Sequence, residues 1–112
     1  MSARLTSSMF VSALLRLVER DGGFGAVVAK GDRDAGAILI VLAERGKRVR
    51  LLERLLRGDG LYAWDSPLAA GHNEADIDKF LERRRSFDPD SWVIELDTAS
   101  AERFAAEIIA FD

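Results

Sequence analysis

A chain of 112 residues with 48% hydrophobic and 31% charged side chains reads as one globular domain, spanning 1–112, able to bury a core of its own. It contains no cysteine, which excludes disulfides, thiolate nucleophiles, zinc–cysteine sites and iron–sulfur clusters. Its net charge of -3 argues against broad attraction to nucleic acid or anionic lipid, and its longest apolar run is far too short to span a bilayer.

The chain opens with a helical pattern. Phe10, Val11, Leu14, Leu15 and Val18 recur at steps of three and four, which predicts an amphipathic helix over 9–20 with Ser7 or Ser8 as its cap. Arg16, Glu19 and Arg20 follow the apolar stretch at once, a charge pattern that suits such a helix rather than a signal peptide. Asp21-Gly22-Gly23 is expected to end it, because glycine accepts the left-handed backbone of a helix terminus. The expected compartment is the cytoplasm.

A strand is expected over 24–30, then a turn over Gly31–Gly36, then a second strand over 37–44. Ile38 to Leu42 is apolar without alternation. Such a strand belongs in the middle of a sheet with both faces covered, or against a partner chain. Glu44-Arg45-Gly46-Lys47 reads as a hairpin turn. Residues 47–57 fit two patterns. Val49, Leu51 and Leu55 alternate with Arg48, Arg50 and Arg54 as in a strand, whereas Leu51, Leu52, Leu55 and Leu56 form a helical stripe. The short preceding turn favours a strand over the first half. A short strand over 61–64 follows the Gly58-Asp59-Gly60 turn.

Asn73 is the expected cap of a helix over 74–85, with Ile77, Phe80 and Leu81 inward, acids in its first turn and Arg83 to Arg85 in its last. Asp88-Pro89-Asp90 reads as a turn. Residues 92–97 alternate, with Trp92, Ile94 and Leu96 on one face and Val93, Glu95 and Asp97 on the other. Thr98 or Ser100 is the expected cap of a last helix whose inner residues are Phe104, Ala105, Ile108 and Ile109. The order α-β-β-β-(β)-α-β-α predicts a two-layer α+β domain, an antiparallel sheet of four or five strands with helices packed against it.

The segments "GDRDAGAILIVL" and "FDPDSWVIEL", with "VSALLR" at 11–16 and "GGFGAVVAKGD" at 22–32, resemble a small bacterial family, domain-of-unknown-function family 1491. The resemblance runs from Arg4 to Asp97, although the part from Leu52 to Asn73 contributes nothing to it. It implies one compact domain. It brings no activity, cofactor or catalytic residue to transfer.

The candidate chemistry is sparse. Asp32 and Asp34 lie between glycines, and carboxylates suit hard cations. Yet the loop lacks the ligand set of an EF-hand and the lysine-serine pair of a P-loop, so side-chain bonds to local amides, with the glycines at positive φ, are the simpler reading. Asp88 and Asp90 would join them in one acidic patch if the two turns shared a sheet edge. Glu95 and Asp97 suit the wet face of a strand, and His72, the only histidine, has no cysteine or second histidine beside it. Nucleic-acid binding would require Arg48, Arg50 and Arg54 to share a surface with Arg83 to Arg85. The sequence therefore reads best as a non-catalytic interaction domain, with a protein partner expected, a second copy of the chain among the candidates, and no cofactor expected. Trp64 and Tyr62 are candidate anchors, since aromatics dominate many interfaces. The rival is a metal-assisted enzyme acting on a phosphorylated or nucleotide substrate through Asp32, Asp34, Asp88 and Asp90.

Overall fold

The computed structural model describes residues 5–69 and 71–111, the last of these by its backbone alone. Arg4, where the resemblance begins, lies outside the described residues. The elements follow one another as α1 (Ser7–Arg20), β1 (Phe24–Ala29), β2 (Ile38–Glu44), β3 (Lys47–Leu56), β4 (Tyr62–Asp65), α2 (Glu74–Phe87), β5 (Trp92–Asp97) and α3 (Ala101–Phe111). They form an α+β domain around one five-stranded sheet of order β1-β5-β2-β3-β4.

β2 takes the centre because nothing from Ile38 to Ala43 needs water. Ile38 to Ala43 are buried without exception. Ile38, Ile40 and Leu42 meet Phe10, Leu14 and Val18 of α1, Trp92, Ile94 and Leu96 of β5, and Phe104 and Ile108 of α3. Leu39 and Val41 meet Ile77 of α2 and Val93 of β5 on the opposite face. Each such side chain contributes about 1.5–3 kcal/mol on burial. The layer of α1 and α3 over one face is thus joined by α2 over the other.

β2 and β3 form a hairpin through a two-residue turn in which Arg45 and Gly46 hold φ of 54° and 81°. That geometry matches the twist of the strands. A residue with a Cβ resists it, and the Asp97 carboxylate offsets the cost by accepting the N–H groups of Arg45 (3.1 Å) and Gly46 (2.7 Å). β3 is a strand through Leu56, so the sheet overrides the helical stripe of leucines. Pairing with β2 on one side and β4 on the other leaves no room for a helix.

The sheet differs from the expected antiparallel one at a single pair. β5 enters parallel to β2, Ile38 beside Trp92 and Ala43 beside Asp97, and β1 lies antiparallel outside it. The crossover through α2 across the second face reverses the chain and makes this pairing possible.

The ends of the helices correct several expectations. α1 begins at Ser7, and Thr6 is its cap, accepting the Met9 N–H at 3.2 Å. Ser7 is instead buried. Gly22 ends the helix at φ 91°, as expected. α2 carries a reciprocal capping box between Asn73 and Asp76 and runs two residues past the expected end, to Phe87. Ser100 caps α3 through the Arg103 N–H (3.4 Å), and the Glu44 carboxylate accepts the Ala101 N–H (2.6 Å). Ile109 is exposed rather than inward, while Ile108 fills the core.

Candidate interaction surface

The loop of Gly31 to Gly36 is an internal junction. The first N–H groups of a helix have no partner within it. In α1 those of Ser7 and Ser8 donate to the carbonyls of Asp34 (3.0 Å) and Arg33 (2.9 Å), and the Ser7 hydroxyl donates to the Gly36 carbonyl (2.7 Å). From the other side, the Asp32 N–H donates to the Asp90 carbonyl (2.8 Å) and the Trp92 indole N–H to the Asp32 carbonyl (2.7 Å). The loop therefore joins α1, β5 and the turn before β5. Gly31 and Gly36 lie against the Asp90 carbonyl so closely that a Cβ at either position would collide with it. Close approach, not positive φ, is what these two glycines provide.

The two acidic turns do meet, but through backbone. The Asp32 carboxylate accepts the N–H groups of Asp34 (3.2 Å) and Ala35 (3.0 Å), and the Asp88 carboxylate accepts that of Asp90 (3.1 Å). Asp34 and Asp90 remain exposed. Among the described residues no group of three or more His, Asp or Glu side chains is placed to hold a metal ion.

The arginines separate. A bulge in β3 at the pairing of Leu42 and Ala43 puts Arg50 and Arg54 on the α1 and α3 face, while Arg48 turns to α2. Arg48 pairs with Glu74 (3.6 Å) and Asp78, and Arg50 with Glu102 (2.7 Å) and the Ser66 hydroxyl (3.2 Å). Arg54 is buried at 2% exposure, its guanidinium 4.1 Å from the centre of the Phe10 ring and 3.6 Å from that of Tyr62. Stacking of this kind favours the cation when water is excluded. On α2, Arg84 pairs with the buried Glu53 and also stacks on Phe80, while Arg85 donates to the carbonyls of Pro89 and Ser91. The shared arginine surface that phosphate recognition would need is not formed.

Trp64 is half-buried, its ring 6.0 Å from that of Phe10, and Tyr62 covers Arg54. Both close the rim of the core rather than project as anchors. His72 sits with its two ring nitrogens 3.1 Å from the carbonyls of Ala69 and Val49, tying its loop to β3. The hollow beside it, about 390 Å³ between Leu68 and Phe80, carries Asp76, Lys79 and Arg83 and so gathers charges of both signs.

Exposed large apolar side chains lie closest together on β1, while Met9, Leu56, Leu61, Phe87 and Ile109 are exposed elsewhere. Phe24, Val27 and Val28 are 67%, 42% and 62% exposed within six residues, FGAVVA. Among the described residues β1 bonds to β5 alone, so its other side carries a row of backbone groups with no described strand beside them. Sheet edges are commonly guarded by Lys, Pro, shortness or a β-bulge. The opposite edge, β4, is four residues long and ends on Asp65. β1 contains no charge and no proline, and its one such feature is a bulge at Val28, near its end. Sequence reasoning placed this strand but did not find its exposure, because alternation shows apolar character and not which strand lies outermost.

One family, described as "Protein of unknown function (DUF1491)", matches residues 5–106. The chain belongs to the DUF1491 family. Its fold is similar to the 1.87 Å crystal structure of a DUF1491 family protein from Caulobacter crescentus CB15, with 36% identity, a TM-score of 0.76 and coverage of 88% of this chain and 92% of that one. An NMR structure of a DUF1491 family protein from the same organism gives 36% identity, a TM-score of 0.78 and coverage of 89% and 91%. The solution structure of protein Atu0922 from A. tumefaciens gives 38%, 0.74, 88% and 89%. No curated protein matches the chain. Among the described residues of this family member no helix is long and apolar enough to cross a membrane.

Proposed function

We propose that this DUF1491 member is a non-catalytic protein-interaction domain of the cytoplasm that receives an extended segment of a partner protein along β1. The observation that carries the reading is the exposed, uncharged apolar edge, Phe24 to Ala29, in a molecule whose Asp32, Asp88, Arg48, Arg50 and Trp64 serve its own fold. Strand addition at a sheet edge supplies affinity from main-chain hydrogen bonds and specificity from alternate side chains. Phe24 and Val28 would provide the apolar contacts. The backbones of the acidic turns, the paired arginines and Trp64 join elements of the fold and act as scaffold for that edge.

The test is capture of partners from native lysate at moderate salt by the tagged chain, read by mass spectrometry. Three baits are compared: the wild type, Phe24→Lys/Val28→Lys, and Asp34→Asn/Asp90→Asn, which changes only exposed carboxylates. A stoichiometric partner held by the first and third and lost by the second is the expected result. Loss with the aspartate variant alone would move the site to the acidic turns and overturn the edge reading.

A further inference from the structure

The charges nearest to the two ends of the free edge are opposite in sign, with charges of both signs farther out, Glu19 and Arg20 on one side and Asp32 to Asp34 on the other. Asp21 precedes β1 and Lys30 follows it; both are exposed, and neither side chain forms an ion pair with another described residue. A strand with an acid at its start and a base at its finish is complementary to itself when reversed. From this we infer that the segment received by β1 is the β1 strand of a second copy of the chain, paired antiparallel about a two-fold axis near Ala26, an inference that rests on the edge reading above.

The geometry of such a pair follows from the strand. Antiparallel strands related by a two-fold axis normal to the sheet place residues of like parity opposite each other. Centring on Ala26 brings Phe24 of one copy beside Val28 of the other, twice. An aromatic side chain beside a β-branched one is a favourable cross-strand pair. Small Gly25 and Ala26 occupy the middle, where the backbones approach. The same register brings the Asp21 end of each copy to the Lys30 end of its mate. β1 has a bulge at Val28, between the pairings of Val27 and Ala29, so the distortion falls on the outer Phe24–Val28 contacts, while Phe24 to Val27, which include the two-fold axis at Ala26, pair regularly with β5. The two five-stranded sheets then form one continuous sheet in which β1 is no longer an edge.

The natural absence of cysteine provides a direct test. Ala26→Cys puts the only thiol of each copy on the two-fold axis, opposite its mate at a Cβ separation of about 4.5–5.5 Å, and a small adjustment brings this within disulfide reach. Ser12→Cys, on the exposed side of α1, is the control. Sedimentation velocity across a concentration series is run on wild type, Phe24→Lys/Val28→Lys and Phe24→Lys/Val28→Glu, with circular dichroism to verify the fold. The wild type is expected to be a dimer. The Lys/Lys variant, which sets like charges face to face, is expected to dissociate about tenfold more readily or worse. The Lys/Glu variant sets opposite charges face to face and recovers association, which damage to the fold would not do. Oxidation cross-links Ala26→Cys and not Ser12→Cys.

A monomeric wild type at all concentrations overturns the self-pairing. So does a dimer indifferent to both charge variants, or cross-linking of Ser12→Cys to the same extent as Ala26→Cys. If the wild type is monomeric while Phe24→Lys/Val28→Lys still loses a stoichiometric partner from lysate, the edge takes a different protein and only the self-pairing falls. If neither is observed, both readings fall.

Discussion

β1 and β2 are both apolar strands of one sheet, yet they stand in opposite relations to water. β2 has a neighbour on each side and a helix layer over each face, and its residues Ile38 to Ala43 are sealed. β1 has one neighbour among the described strands, and Phe24, Val27 and Val28 project into solvent. Composition does not separate the two; position does. In β2 apolar character holds the molecule together. In β1 the same character faces solvent and does little for the isolated chain.

The contrast can be broken most strongly at β2. Leu42→Ala should remove about 2–5 kcal/mol from the unfolding free energy, because the site is enclosed by α1, β5 and α3 and cannot collapse, and chemical denaturation would read it directly. Next comes Arg84→Ala, which would strand the buried Glu53 beside the same sheet without its cation and cost about 3 kcal/mol. Gly36→Ala forces the loop off the Asp90 carbonyl and should cost about 1–3 kcal/mol, with a lower melting temperature as the readout. Asp32→Ala, which removes the acceptor of two loop amides, should cost about 1 kcal/mol. At the small end, Val28→Lys should change the stability of the isolated chain by no more than about 0.5 kcal/mol in thermal melts while altering what the protein binds. A large loss of stability there would erase the distinction between the two strands.

The burial of β2 was legible because an unbroken apolar run has few places to go. The cap at Asn73, the turn at Arg45-Gly46 and the inner faces of α1 and α2 were legible for similar reasons, each being set by residues within a turn or two of one another. The parallel pairing of β2 with β5 was not, because neighbours in a sheet are chosen by competition among all strands. The fate of the arginines was not legible either. A one-residue bulge sent Arg48 to one face and Arg50 and Arg54 to the other, and no periodicity announces a bulge. The turn reading of the loop at Gly31 was right for Asp32, whose carboxylate bonds the local amides of Asp34 and Ala35, and wrong for Gly31 and Gly36, which allow close approach rather than positive φ. What no local pattern showed is that the backbone carbonyls of Asp34, Arg33 and Asp32 receive the amides of Ser7 and Ser8 and the indole of Trp92, which come from distant parts of the chain.

The insertion of β5 between β1 and β2 also governs the order of assembly. A hairpin such as β2–β3 closes on a scale of about 1–10 μs. β5 comes from far along the chain, and until it docks neither β1 nor the near side of β2 has a strand to bond. That one long closure is expected to limit the folding rate. Synthesis runs from the N-terminus, so both strands emerge from the ribosome well before residues 92–97. The nascent chain, more than the finished molecule, is then the form in which these apolar edges are at greatest risk of aggregation.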